Sequence, residues 1–428
     1  MTDEERAPET EEPASATPPD TKPEPRPGIV PRFARYLVTA NNVMVTVYAL
    51  VLSMVVGGIL IILTNEEVRK TFTYFFAKPT DALSASWDTV ASAYTGLFRA
   101  SIVDPEDISK WLSGNESLTD VLYPLSETLT YAAPLILAGL AVGLAFRAGL
   151  FNIGAEGQVM VGAVAAGIVG FQVHAPFLLH IVLVLAAGMI AGGIYGAIPG
   201  ILKARTGAHE VITSIMLNYV AINFLSWILN LGWVKDPKQP EQSYAVDGNA
   251  RMWTIMGSDN RANIGIIVAV AAALGVWWLL SRSTAGYRMR AVGLNPEASR
   301  TAGMSVPKTF MMTMATAGVL AGLAGALAVA GSGAPYALSR DVSANMGFDG
   351  ITVALLGRAK PGGIIAAGFL FGALRAGSSQ MQDLVPIEMV IVLQAVIVIF
   401  IAAPALVKAL LRLREPAGGL SISEAKGW

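Results

Sequence analysis

Apolar residues in this chain come in long runs that stop at short polar stretches, with no two-residue alternation between them. The runs lie near 43–63, 125–146, 155–173, 177–202, 209–232, 263–281, 309–331, 344–357, 362–377 and 387–405. A bilayer core about 30 Å thick is crossed by roughly 20 helical residues. The pattern therefore predicts an all-α polytopic membrane fold of about ten transmembrane helices, each satisfying its own backbone hydrogen bonds. The eighth and ninth runs are short, and read either as two spans or as half-helices of a re-entrant hairpin.

One polar phrase interrupts the runs twice. Asn152-Ile153-Gly154-Ala155-Glu156-Gly157 recurs as Asn345-Met346-Gly347-Phe348-Asp349-Gly350, the pattern Asn-x-Gly-x-acid-Gly. A carboxylate within a spanning segment is costly unless it has a partner or borders water. Asn suits a helix N-cap, Gly permits a break, and an acid in the first turn faces the positive end of the helix dipole. The phrase thus predicts two broken helices that start near Asn152 and Asn345. The repeat extends further: Leu137 to Ala145 and Leu320 to Ala328 agree at seven of nine positions, and Glu210-Val-Ile is echoed by Glu388-Met-Val.

Basic residues orient the chain, because short cytoplasmic loops carry excess Lys and Arg. Arg32 and Arg35 precede the first run, Lys203 and Arg205 follow the fourth, and Arg282, Arg288, Arg290, Arg300 and Lys308 flank the loop after the sixth. Arg358 and Lys360 separate the eighth and ninth, and Lys408, Arg412 and Arg414 follow the tenth. All fall on one side, which puts both termini in the cytoplasm and 64–124 and 233–262 outside. The segments 125–146 and 309–331 then run in opposite directions, the inverted repeat of many transporters. Within 64–124, Trp87, Val90, Tyr94 and Leu97 share one helical face, either an interfacial helix on the outer leaflet or part of a small soluble cap. Gly188, Gly192, Gly196 and Gly200 form a smooth stripe for close helix packing.

Composition agrees with the hydropathy pattern and narrows the chemistry. Apolar residues make up 54% and charged residues 14% of the 428, so most of the chain belongs in lipid. A net charge of -1 gives no sign of a nucleic-acid partner. Cysteine is absent and His174, His180 and His209 are scattered, which leaves no thiolate chemistry and no metal-ligand spacing. No catalytic set is apparent. Residues 1–27 are rich in Pro, Glu, Asp and Thr and lack the order of a signal peptide. The domain plan expected is a disordered cytoplasmic tail over 1–35, a transmembrane domain over 36–410 and a C-terminal tail over 411–428.

The loop after the sixth run carries its own signal. Asn295, Pro296 and Glu297 supply a cap, a first-position proline and a first-turn acid, and Gly303 stands where a helix of about two turns would end. With Arg288 and Arg290 upstream, residues 283–307 predict a short basic helix exposed to the cytoplasm, able to take a soluble partner.

Three phrases together resemble a known family. They are Gly149-Leu-Phe-Asn-Ile-Gly-Ala-Glu-Gly-Gln158, His209-Glu-Val-Ile-Thr-Ser-Ile-Met-Leu-Asn218 and Arg290-Ala-Val-Gly-Leu-Asn-Pro-Glu-Ala-Ser-Arg-Thr-Ala-Gly303. They are similar to permease subunits of bacterial ABC importers in the branched-chain amino acid, simple-sugar and nucleoside group, above all the nucleoside branch. The likeness spans residues 40–410; Ala298-Ser299 departs from the family's paired alanines, and the acidic tail lies outside the pattern. The resemblance implies alternating access in the cytoplasmic (inner) membrane. It also implies a cytoplasmic ABC ATPase that binds ATP and Mg, a second related permease forming a heterodimer, and an extracytoplasmic binding protein or lipoprotein that delivers solute. No cofactor is expected in this chain, which has no Gly-x4-Gly-Lys-Ser/Thr phosphate loop.

Candidate pathway residues are Asn152, Glu156, Gln158, Glu210, Asn218, Asn345 and Asp349, which either line a solute route or brace helices. Candidate coupling residues are Arg290, Gly293, Asn295, Pro296, Glu297 and Gly303. A permease for ribose or another sugar and an ion-coupled secondary carrier are the alternatives.

Overall fold

The computed structural model describes residues 42–257, 259–333 and 335–380, together with 392, 395–397, 399, 400 and 403–412. The 1–35 tail, most of the segment 387–405 with Glu388, and the chain from 413 onward lie outside the described residues. Helices α1 (Asn42–Thr64), α2 (Glu66–Phe72), α3 (Pro79–Ser101), α4 (Pro105–Leu112) and α5 (Leu118–Val121) come first. They are followed by α6 (Tyr123–Arg147), α7 (Ala155–Gln172), α8 (Phe177–Thr206) and α9 (Glu210–Leu229). A small antiparallel hairpin, β1 (Lys235–Asp236) and β2 (Gln239–Ser243), separates these from α10 (Gly265–Arg282). Then come α11 (Thr284–Leu294), α12 (Pro296–Thr301), α13 (Val306–Ala330), α14 (Met346–Leu356), α15 (Pro361–Gln380) and α16 (Pro404–Leu410).

Among the described residues, six helices are long and apolar enough to cross a membrane: α1, α6, α8, α9, α10 and α13. Helix α7 has 18 residues but includes Glu156, Gln158 and Gln172, and α15 has 20 but includes Arg375. The eighth run departs from expectation. Its helix, α14, has 11 residues, a length of about 16 Å, and so crosses only half a membrane. The ninth forms a full-length helix, so the pair is neither two complete spans nor a re-entrant hairpin.

Helices α6 and α13, the two that carry the repeated apolar phrase, form the centre. Their most apolar stretches are 89% and 72% buried within the protein, against 28–33% for the other four spans, whose remaining faces are free for lipid. They run antiparallel. Ser126 at the start of α6 accepts a hydrogen bond from Ala262 N, next to Asn263 and the end of α13, and Ala145 at its end packs beside Met314. The glycine stripe of α8 lies on α13: a Cβ at Gly192 would stand 2.5 Å from both Gly318 O and Gly322 Cα, and one at Gly196 would stand 2.6 Å from Met314 O. Only glycine lets the two backbones approach so closely.

The basic loops gather at one end of the bundle, as the charge pattern predicts. Lys203 lies over the Phe310 ring, Gly293 abuts the turn after Arg147, and Arg358 donates to Thr46 Oγ1. The two segments expected outside meet at the other end, where Asn260 Nδ2 donates to Thr119 O over 3.0 Å. Here the apolar stripe of α3 has protein partners. It packs antiparallel along α1, with Tyr94 Oη donating to Met54 O and Val90 covering Gly58, while Leu97 covers Gly377 of α15. Three of its four residues thus pack on other helices, and Trp87 is 74% exposed.

Candidate functional site

The two polar phrases, 193 positions apart in the chain, meet inside the bundle. Helix α7 begins at Ala155 and runs away from the basic end, so that Gly170 O accepts from Asp247 N at the far side. Helix α14 begins at Met346 and runs toward the basic end alongside α6, with Gly350 over Ala138 and Val353 against Gly139. Their N-termini face one another, and Glu156 lies between them. Its Oε1 accepts from Ser343 Oγ at 2.5 Å and its Oε2 from Gly347 N at 2.8 Å, and the side chain is 1% exposed. A carboxylate expected to favour its own helix dipole therefore also caps the opposing half-helix.

The asparagines do not play the capping part predicted for them. Asn152 precedes α7 by three positions and pairs reciprocally with Gln158, at 3.0 and 3.1 Å. Gly154 occupies the N-cap position, and Asn345 does so for α14, with a left-handed φ of 61° and no side-chain cap bond. Ala344 is left-handed too, with φ 43°. Two successive non-glycine residues in this region cost about 1–2 kcal/mol each. Arg375 Nη2, bonded to Ala344 O, and Glu156, bonded to Ser343, hold them in place.

Asn218 of α9 closes the first break, accepting from Gly157 N at 2.9 Å and donating to Ile153 O at 3.0 Å. Asn152 and Gln158 are thus buried and satisfied by each other, and Asn218 by the backbone of Ile153 and Gly157, an arrangement that braces the break. Glu210 stands apart, bonded to Lys203 at 2.5 Å toward the basic end. Asp349 and Asn345 are the accessible members: Asp349 is a quarter exposed and 3.7 Å from Arg375, and Asn345 is exposed. Ser343 and Arg375 were missed in the sequence. An arginine within the apolar run 362–377 was a signal, because a charge at that depth calls for an opposite partner.

The loop helix forms as its cap signals predict. Asn295 Oδ1 accepts from Ala298 N at 3.0 Å, Pro296 opens α12, Glu297 pairs with Arg300, and Gly303 follows with φ +79°. Gly293 lies one helix earlier, in α11, and packs on the turn that leads into the first phrase: an added Cβ would stand 2.6 Å from Arg147 O and 2.8 Å from Gly149 N. Arg290 is exposed on the same helix. Arg147 was not singled out in the sequence, yet it joins both halves of the repeat. Its Nε donates to Ala359 O at 3.0 Å and its Nη2 to Arg358 O at 3.4 Å, which holds the turn that ends α14.

Replacing Glu156 with alanine leaves Gly347 N and Ser343 Oγ buried without their acceptor, a cost of about 1–3 kcal/mol each. Solute uptake is expected to fall by more than the amount of protein in the membrane. Transport and immunoblot on the same cells measure both, and an equal fall in the two would assign Glu156 a purely structural part.

A multi-pass helical bundle in which the N-termini of a long helix, α7, and a half-length helix, α14, meet internally has the build of a membrane permease. Residues 125–402 match the family described as the branched-chain amino acid transport system permease component, and the chain belongs to that family. It is 41% identical to the guanosine ABC transporter permease protein NupP of Bacillus subtilis over 285 residues, covering 66% of this chain and 82% of the relative. The nucleoside ABC transporter permease protein NupB of Lactococcus lactis is 38% identical over 67% of this chain and 81% of its own length. The glucose ABC transporter permease protein TsgB13 of Haloferax volcanii is 33% identical over 78% and 90%. The chain is a transport subunit of an ABC system and not an enzyme; permeases of this kind work with a separate ATPase and a substrate-binding partner.

Proposed function

We propose that this chain imports nucleosides across the cytoplasmic membrane as one of two related permeases in an ABC importer, with both termini in the cytoplasm. An ATPase subunit holding ATP and Mg docks on the loop at 283–307, and an extracytoplasmic binding protein delivers solute at the opposite end. The cycle is alternating access. ATP-driven movement of α11 and α12 shifts the turn at Arg147–Gly149, and through it the N-termini of α7 and α14 that meet at Glu156. The meeting of the two phrases at Glu156, with the loop packed on the turn that leads into the first of them, is the single observation that carries the reading. Their junction is a pair of bistable ends where a small displacement changes which side is open. The nucleoside cargo is supported by the guanosine and nucleoside permeases to which the chain is similar.

The test is purification of the assembled complex in mild detergent, followed by ATP hydrolysis with binding protein and one solute at a time. Guanosine is expected to stimulate hydrolysis at least several-fold, and glucose not to. Stimulation by glucose alone would replace nucleosides with sugars as cargo. Uptake that collapses with a protonophore at constant ATP, with no ATPase co-purifying, would replace the ABC mechanism with an ion-coupled one.

A further inference from the structure

Asp349 and Arg375 pose a problem that helix bracing does not solve. Both lie deep in the bundle. Asn345 stands one α14 length, about 16 Å, above the basic-end turn at 357–360, and Arg375 stands 14 residues, about 21 Å, along α15 from Pro361. Yet the side chains of Asp349 and Arg375 remain 26% and 23% exposed. Their charged atoms are 3.7 Å apart, too far for a hydrogen bond, and among the described residues Arg375 Nη1 has no hydrogen-bond partner. An ion pair at that depth is not turned toward hydrocarbon; it borders protein or a water-filled route. Phe348 lies beside it. Residues 345, 348 and 349 fall on one face of α14 by helical spacing, and both Asn345 and Phe348 are exposed there, Phe348 by 42%.

We propose that Asn345, Phe348, Asp349 and Arg375 form the solute-binding patch of the pathway, built for a neutral sugar joined to a planar nitrogen base. The assignment rests on the importer reading and adds to it the groups that touch solute. Each component has a counterpart in such a ligand. The Phe348 ring offers a face on which a base stacks, an interaction that tolerates different bases. The Asp349 carboxylate accepts from two neighbouring hydroxyls of a pentose, while Arg375, its Nη1 buried 3.7 Å from Asp349 and its Nη2 bonded to Ala344 O, holds that carboxylate in place behind the solute. Asn345 offers both a donor and an acceptor. Charge balance sets the class. The Asp349 and Arg375 charges offset one another and Glu156 adds a buried negative charge behind them, so the patch suits an uncharged nucleoside and opposes the phosphate of a nucleotide. Asn152 of the first phrase and Asn218, which braces it from α9, are both buried in bonds within the protein, which makes the second phrase the solute-facing copy.

The experiment uses the whole complex in proteoliposomes, with ATP inside the compartment that holds the ATPase, and follows labelled guanosine and labelled glucose. Phe348→Ala is expected to lower guanosine uptake at least ten-fold and Phe348→Tyr to restore it. Membrane abundance and co-purification of the ATPase should stay at the wild-type level in both, which separates a loss of solute contact from a loss of folding or assembly. Asp349→Asn should likewise lower guanosine uptake at least ten-fold at unchanged abundance. Guanosine carried equally well by wild type, Phe348→Ala and Asp349→Asn would overturn the patch while leaving the importer reading intact. A wild-type complex that carries glucose and not guanosine would overturn the nucleoside cargo and, with it, the stacking role of Phe348.

Discussion

Gly192→Leu is expected to remove nearly all correctly folded protein from the membrane. The α8 stripe and the glycines of α13 interlock backbone to backbone, and a Cβ at 192 already meets Gly318 O and Gly322 Cα at 2.5 Å. No flexible side chain stands there to give way, so the two helices must separate. Overpacking in a tight core typically costs about 1–3 kcal/mol; opening this seam also strips contact from α7, whose Gly162 faces the same Gly322. The result approaches the whole stability of an ordinary domain, about 5–15 kcal/mol. Gly275→Ala on α10 provides the control, since a Cβ there meets nothing within 4 Å. Fluorescence-detected size exclusion of detergent extracts compares the two. A monodisperse Gly192→Leu peak at wild-type height would mean that the α8–α13 contact does not hold the bundle together.

Most of this architecture can be read from the sequence because lipid imposes a one-dimensional rule. An apolar run of the right length becomes a helix, and a basic loop marks its end, so the spans at 43–63, 125–146 and 309–331 and the common end of Lys203, Arg290 and Arg358 follow from local order alone. The glycine stripe is equally local, since the chance of close approach is written in the four-residue spacing. Caps were less legible. The loop helix at Pro296 formed as its residues dictate, because an exposed helix end has few competitors for its amides. In the bundle the same residue type does not cap: Asn152 lies before the N-cap position, and Asn345 holds that position without a side-chain cap bond. There, buried side chains from other helices compete for every donor and acceptor, and Gln158, Asn218 and Glu156 win. Ser343, Arg375 and Arg147 act over long chain separations that no local pattern encodes. The repeat nevertheless pointed to the right place, because two copies of an intramembrane acid have few ways to be satisfied other than at a shared junction.

Gly293→Val should separate ATP hydrolysis from transport. The added side chain has no room: its Cβ would lie 2.6 Å from Arg147 O, 2.7 Å from the carbonyl carbon of Ala148 and 2.8 Å from Gly149 N, all of them backbone atoms. The loop is then lifted off the turn that leads into the first phrase. Asn295, Pro296 and Glu297, the residues proposed to face the ATPase, cap and open the next helix, α12, which keeps its own cap in this variant. Basal ATP hydrolysis and subunit co-purification are therefore expected to persist, while stimulation by liganded binding protein and solute uptake fall at least ten-fold. Arg147→Ala approaches the same junction from the other side. It frees Ala359 O and Arg358 O at the end of α14 and leaves the loop seated on the turn. Loss of coupling in both variants, with the complex still assembled, would place transmission in the contact between the loop and the Arg147 turn. If Gly293→Val retains full stimulated uptake, the loop drives α7 and α14 by some other route, and the contact of Gly293 with the backbone of residues 147–149 has only a packing role.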